Sequence, residues 1–196
     1  MLAGRRFRVE LTDSQLRLAQ QTADGCRAVW NTGLEQRREY RRRGAWMNYG
    51  PQVAELAQAK AEHAWLKEVP GHCLQQALMD LDKACRRHGT FGVHWRSARR
   101  WVASFRFLEG SKMKVERLNR GKSQVQLPKL GWVKYRASRS LDGETIRSAT
   151  LTKEGPALVC VAVGQRRRCG AGGPRCTRHC GGGGSGRGGG GGHQWW

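Results

Sequence analysis

The chain has 196 residues, with 36 Lys and Arg against 15 Asp and Glu, a formal net charge of +21. That balance is typical of chains that meet a polyanion, which makes nucleic acid the leading partner and an acidic membrane surface the weaker one. No apolar run approaches the roughly 20 residues that a spanning helix needs.

Six arginines and no acidic residue lie beyond residue 163, so the basic bias also belongs to the body of the chain. "MLAGRRFRVEL" places arginines where a secretory signal needs its apolar centre. The seven cysteines are odd in number, and Cys26, Cys73 and Cys85 fall on apolar faces of expected helices. Reduced thiols in a cytoplasmic protein are therefore expected.

Phe7, Val9 and Leu11 alternate with Arg6, Arg8 and Glu10, which predicts a half-buried strand with a basic outer face. Thr12 and Gln15 form a capping-box pattern, so a helix should start near Asp13, run to about Thr22 and break at Asp24-Gly25. A second helix takes Cys26, Val29, Trp30, Gly33, Leu34 and Tyr40 on its apolar side. Its other side carries Arg37, Arg38, Arg41, Arg42 and Arg43, and Gly44 ends it. Pro51 suits the first turn of a third helix through Val53, Leu56 and Ala57. A fourth buries Leu74, Ala77, Leu78, Leu81, Ala84 and Cys85, and stops near Gly89. Its opposite face holds Gln75, Gln76, Asp80, Asp82, Lys83, Arg86 and Arg87.

An irregular basic stretch follows, and then short alternating segments at 104–108, 123–138, 145–155 and 157–163. Pro128 and Gly131 punctuate the second of these. The order is strand, four helices, then about five strands, with the first strand joining the later cluster around a helical insertion. The last segment, 164–196, holds 14 of the 27 glycines and reads as disordered, with the composition of a GC-rich gene translated out of frame.

Metal and catalytic chemistry find little to work with. Cys169, Cys176, His179 and Cys180 lack the close pairing and the framework of a zinc site, and read as accidental cysteines of a shifted frame. The histidines are scattered, no nucleophile elbow is present, and Asp80 and Asp82 have basic neighbours that explain them as solvated ion pairs. No catalytic residue and no metal ligand is assigned.

Nucleic-acid contact is the stronger signal. Arg96, Arg99 and Arg100 interleave with His94, Trp95 and Trp101, joining charge for phosphates to flat faces for stacking. The alternative is a solvated loop whose tryptophans pack on the β-cluster. Lys129, Lys134, Arg136 and Arg139 lie along an expected β-hairpin, and Arg6 and Arg8 along the first strand. The arginine run at 37–43 is less informative, because a charged helix back is often only solvated.

The order "RFRVELTDSQ", "CRAVWNTGLEQRREY", "AWLKEVPGHCLQQALMDLDKA", "SFRFLEG", "LPKLGWVKYRASR" and "IRSATLTKEG" resembles the amino-terminal half of TnpB (OrfB) proteins over about residues 3–163. These are transposase-associated, RNA-guided nucleases of insertion sequences. The resemblance implies an α+β fold, a wedge-like β-barrel with an inserted helical recognition domain whose first segment is catalogued as helix-turn-helix. The boundaries would be 1–12 and 104–163 for the wedge, 13–103 for the insertion and 164–196 for the tail. It implies guide RNA and double-stranded DNA as partners, with protein reading a short motif and base pairing reading the rest. It also places Tyr49, Gln75 and Gln76 near the duplex, where a glutamine amide can pair with adenine. For Gln75 the alternative is an ordinary exposed helix residue.

Full-length relatives use divalent metal and zinc in a RuvC-like domain. Its G-[IV]-D-x-G-like stretch does not follow "ALVCVAV" here, so the expectation is a truncated, catalytically inactive nucleic-acid binder that needs no cofactor. A standalone repressor-like DNA binder and a decayed reading frame are the alternatives.

Overall fold

Alternation along the first residues produces β1 (Leu2–Glu10), with Phe7 and Val9 buried and Arg6, Arg8 and Glu10 exposed. The computed structural model describes residues 2–99, 102–138, 144–154 and 157–166. β1 leads directly into α1 (Asp13–Arg42), whose first turn is closed by a capping box: the Thr12 hydroxyl accepts from the Gln15 amide, and the Gln15 side chain accepts from the Thr12 amide. Gln15 also donates to the carbonyls of Leu130 and Trp132, both at 2.9 Å, and so ties the start of the helix to the sheet.

The expected break at Asp24-Gly25 does not occur: α1 is one helix of 30 residues. A glycine in mid-helix costs only about 1 kcal/mol against alanine, and here the missing side chain has a use. A Cβ at Gly25 would lie 3.4 Å from both Leu74 and Val69, so the glycine lets the neighbouring elements pack close to α1. Two facing assignments on α1 are also reversed. Tyr40, expected on the apolar side, is exposed, whereas Arg37, expected on the solvated side, is only 4% exposed.

α2 (Tyr49–Glu62) starts at Asn48, whose side chain accepts from the Gly50 amide, with Pro51 in its first turn. A short α3 (Ala64–Glu68) precedes α4 (Gly71–His88), which ends at Gly89 with φ 74°, a left-handed-side conformation suited to glycine. Leu74, Ala77, Leu78 and Leu81 are buried as the spacing predicts. Gln76 and Asp82, expected on the opposite face, are buried too.

Arg37 explains the burial of Asp82. Its guanidinium donates to Asp82 of α4 and to Gln52 of α2, each at 2.8 Å, while Gln52 donates to the carbonyl of Gly33 on α1. Arg86 reaches the other Asp82 oxygen at 2.8 Å from the next turn of α4. The i,i+4 pair is therefore present, but its carboxylate faces a buried cation as well as the surface.

The later strands are β2 (Ser104–Phe107), β3 (Val115–Arg117), β4 (Lys122–Leu127), β5 (Gly131–Arg136), β6 (Glu144–Glu154) and β7 (Ala157–Arg166). A short 3-10 turn over Gly110–Lys112 precedes β3. β3 was not expected; all three of its residues are exposed, so it has no buried alternation to betray it. β7 continues past Val163 to Arg166. All seven strands form one sheet in the order β2-β6-β7-β1-β5-β4-β3, with every pair antiparallel. β1 lies at its centre, between β7 and β5, as the joining of the first strand to the later cluster requires. β2 and β3 are its edges and no ladder joins them, so among the described residues the sheet is open rather than a closed barrel. The chain is α+β. One face of the sheet, with Phe7, Val9, Phe105, Phe107, Val133 and Leu151, shares a continuous core with α1 and α4. No described helix is long and apolar enough to cross a membrane. The glycine-rich segment beyond Arg166, with Cys169, Cys176, His179 and Cys180, lies outside the described residues.

Replacing Arg37 with Met leaves Asp82 and Gln52 buried without their shared partner. Loss of one member of a buried ion pair costs about 3–5 kcal/mol, and Arg86 on Asp82 brings the expectation to the low end. Urea unfolding of Arg37→Met, compared with the unaltered chain, measures it.

Candidate nucleic-acid interface

The outward face of the sheet is basic. Strand alternation turns Arg6 and Arg8 away from the core, and the register extends that face across the neighbouring strands. Glu10 lies opposite Lys134, Lys134 opposite Gln124, and Arg136 opposite Lys122. Arg6, Arg8, Lys122, Lys134 and Arg136 are all exposed, and half-buried Trp132 shares the face two residues before Lys134. The acid among them, Glu10, is engaged by Lys122 at 3.1 Å. Four of the residues expected to meet nucleic acid, Arg6, Arg8, Lys134 and Arg136, are thus brought onto one surface. Lys122 was missed; its signal was the same alternation, one strand back across the hairpin.

Lys129 has another occupation. It sits in the turn between β4 and β5 with φ 63°, and its ammonium donates to the carbonyls of Lys67, Glu68 and Val69. That pins the hairpin to the end of α3. Lys60 arrives at the same place and donates to the Val69 carbonyl at 3.1 Å. Burial, and then the neighbouring Lys129 ammonium, hold Lys60 below the usual lysine range. These two lysines converge just before α4, whose first turn carries no acidic residue and no side-chain cap. Gly71 opens that helix, and a Cβ there would lie 3.3 Å from the Lys60 ammonium.

Gln75 is exposed on the first turn of α4, and Tyr49 is half-buried at the start of α2, packed against the core. Gln76 does not share the surface of Gln75: it is 4% exposed and donates to Asp80 at 2.7 Å. One residue along a helix turns the side chain by about 100°, enough here to carry Gln76 into the interior.

Arg96 is likewise drawn inward. Its guanidinium lies 3.6 Å from the centre of the Trp30 ring. Its backbone is held at both ends by Asn31, which accepts from the Arg96 amide at 2.9 Å and donates to its carbonyl at 3.1 Å. Burial lowers its pKa to about 10. Arg96 therefore fastens the 94–99 segment to α1, and Arg99 beyond it is exposed. Arg100, Trp101 and Arg139 lie outside the described residues. Trp95, rather than packing on the sheet, lies under Arg38 of α1 at 4.8 Å and stays 44% exposed.

No three His, Cys, Asp or Glu side chains among the described residues are grouped so that they could hold a metal ion. Cys26 and Cys73 are buried neighbours, with the Cys26 thiol directed at the Cys73 carbonyl at 3.5 Å. Burial pushes the Cys26 thiol up to about 12 and Cys73 higher still.

Residues 1–45 match the OrfB family described as "Helix-turn-helix domain". In this chain the matched residues hold β1 and an unbroken α1. The chain is also 32% identical over 138 residues to InsQ of Escherichia coli, whose name describes an RNA-guided DNA endonuclease. The chain belongs to the TnpB (OrfB) family. The match spans 67% of this chain and 32% of InsQ, so the TnpB chain described here corresponds to about a third of that relative's length.

Two outcomes test the placement of these side chains. Lys129→Met should destabilise the fold by about 1–3 kcal/mol, the usual cost of leaving carbonyls without a charged donor, as read by thermal unfolding. Cys26 and Cys73 should resist a thiol reagent at pH 8 until the chain unfolds. Because their folded pKa values are raised, the stability they contribute is complete below pH 9 and falls as pH climbs toward 12, which alkaline unfolding curves report.

Proposed function

We propose that this TnpB-family chain is a nucleic-acid-binding protein that holds guide RNA and target duplex DNA and does not itself cut. The observation that carries the reading is the outward face of β1, β5 and β4, which Arg6, Arg8, Lys122, Lys134 and Arg136 share with Trp132 and one engaged carboxylate. Phosphate neutralisation by such a face supplies affinity without sequence preference. InsQ's description as an RNA-guided DNA endonuclease supports both partners.

Sequence preference is assigned to the opening of α4. Gln75 is exposed one turn into that helix, and an amide can donate to and accept from one adenine edge. Tyr49 is the accompanying candidate. A second reading, a repressor-like protein that binds duplex DNA without RNA, makes a different demand on the same surfaces.

Filter binding over a range of salt concentrations, with and without guide RNA, tests the proposal. RNA-dependent duplex binding is expected. Binding that is sequence-specific without RNA favours the repressor reading, and magnesium-dependent nicking by the chain alone overturns the assignment of binding without cleavage. Lys134→Ala with Arg136→Ala should lower the salt slope by about 2 for duplex DNA, one unit for each lost phosphate contact. Gln75→Ala should leave that slope unchanged and reduce discrimination among target-adjacent sequences by about 1–3 kcal/mol.

A further inference from the structure

The carboxy-terminal end of α1 carries a second surface of a different kind, on the helical part rather than on the sheet. Trp46 is 75% exposed, and the guanidinium of Arg41 lies 3.7 Å from the centre of its ring. Three residues earlier on the same helix, Arg38 lies over Trp95, itself 44% exposed. Positions three apart are neighbours on a helix surface. The two stacked pairs therefore stand side by side, one turn of α1 apart. Phe91, 59% exposed, borders them, its carbonyl and that of Val93 accepting from Arg38.

Charge separates these arginines from their neighbours. Arg42 and Arg43 are engaged by Glu39, and Arg42 also by Glu35. Neither Arg38 nor Arg41 has a carboxylate partner among the described residues. What they meet instead is the face of a tryptophan. Three large aromatic side chains exposed together on the rim of a small domain require an explanation beyond scattered surface apolarity. Arg38 is committed to the Phe91 and Val93 carbonyls, whereas Arg41 on the Trp46 face keeps in-plane donors for a phosphate, and the uncovered ring faces can stack on flat, uncharged rings.

We infer that Arg38, Arg41, Trp46 and Trp95, with Phe91 at the border, form a stacking platform for the unpaired bases of a single-stranded nucleic acid. The inference rests on the nucleic-acid-binding reading and adds a site to it. A duplex presents its base faces only to one another, so it cannot use the platform; a single strand can, since every base has a free π-face. Stacking reads the base and not the sugar, so RNA and DNA single strands of like composition occupy it equally. The backbone of the strand then runs beside Arg41. This surface is distinct from the sheet face, where charge dominates and one tryptophan is half-buried.

The test uses the full chain and three fluorescently labelled 15-mers: a U-rich RNA, a T-rich single-stranded DNA and a duplex DNA, followed by fluorescence anisotropy. The two single strands should bind within about threefold of each other, as sugar-independent stacking demands. Trp46→Ala combined with Trp95→Ala should weaken both by about tenfold or more, the lower range for lost stacking, and change duplex affinity by less than about twofold. The salt slope should stay unchanged, because no charge is removed. Trp46→Phe should recover most of the loss, and a chain that has merely misfolded would not be rescued so. Arg41→Ala should lower the single-strand salt slope by about 0.7. Unchanged single-strand affinity in the double tryptophan variant overturns the platform and leaves the sheet-face reading standing. Equal losses for duplex and single strands also overturn it. Self-association that disappears with Trp46→Ala assigns the patch to a second copy of the chain and overturns it as well. Failure of the unaltered chain to bind any of the three overturns the nucleic-acid reading, and the platform with it.

Discussion

Arg37 holds a full positive charge at 4% exposure, a depth at which an isolated ion would be strongly disfavoured. It is tolerated because its partners come from the other two long helices, Gln52 of α2 and Asp82 of α4, and because Gln52 is itself anchored on the α1 backbone. An apolar replacement could fill the same volume, but it would accept several sliding arrangements of the helices. Directional bonds accept one, which is the best-attested use of buried polar groups. The positions of Tyr49 at the head of α2 and Gln75 at the head of α4 follow from that fixed geometry. The helical part presents its surface residues in a set relation because one guanidinium joins its interior.

A net charge of +21 does not describe a uniformly coated molecule. Some cations are spent on architecture: Arg37 among helices, Arg96 against Trp30, Lys129 and Lys60 on the end of α3. Others are neutralised by nearby acids, such as Arg42 and Arg43 on Glu39. Others stay outward, among them Arg6, Arg8, Lys134 and Arg136 on the sheet face. The distinction matters for binding, because a cation already holding carbonyls or stacked in the interior has little left to offer a phosphate.

The sheet was readable because period-two alternation survives even when strands are short, and because a first strand with a buried face needs partners that the helices cannot supply. The capping box at Thr12 and Gln15 and the glycine stop of α4 were readable for the same reason: each is a local hydrogen-bonding or backbone requirement. Gly25 misled because sequence alone cannot tell a helix-breaking glycine from one that admits a close neighbour. Arg37 misled because its burial depends on Asp82, 45 residues away, meeting it across an interface. Gln76, Arg96 and Lys129 belong to the same class: each is polar, and its partners are fixed only by tertiary packing. Trp46 was overlooked because an aromatic residue just past a helix gives no periodic signal, and its pairing with Arg41 exists only once the chain turns at Gly44.

The central place of β1 has a temporal consequence. As the chain leaves the ribosome, residues 2–10 emerge well before their ladder partners, residues 134–135 and 158–165. The helices can consolidate early through nearby contacts, whereas the sheet must close its largest loops last, when entropy opposes it most. Until β5 and β7 arrive, Phe7 and Val9 have no sheet to join and the backbone of β1 has no partner on either side. The arginines that alternate with them keep this waiting segment charged and soluble, and discourage it from pairing with the same segment of another nascent chain.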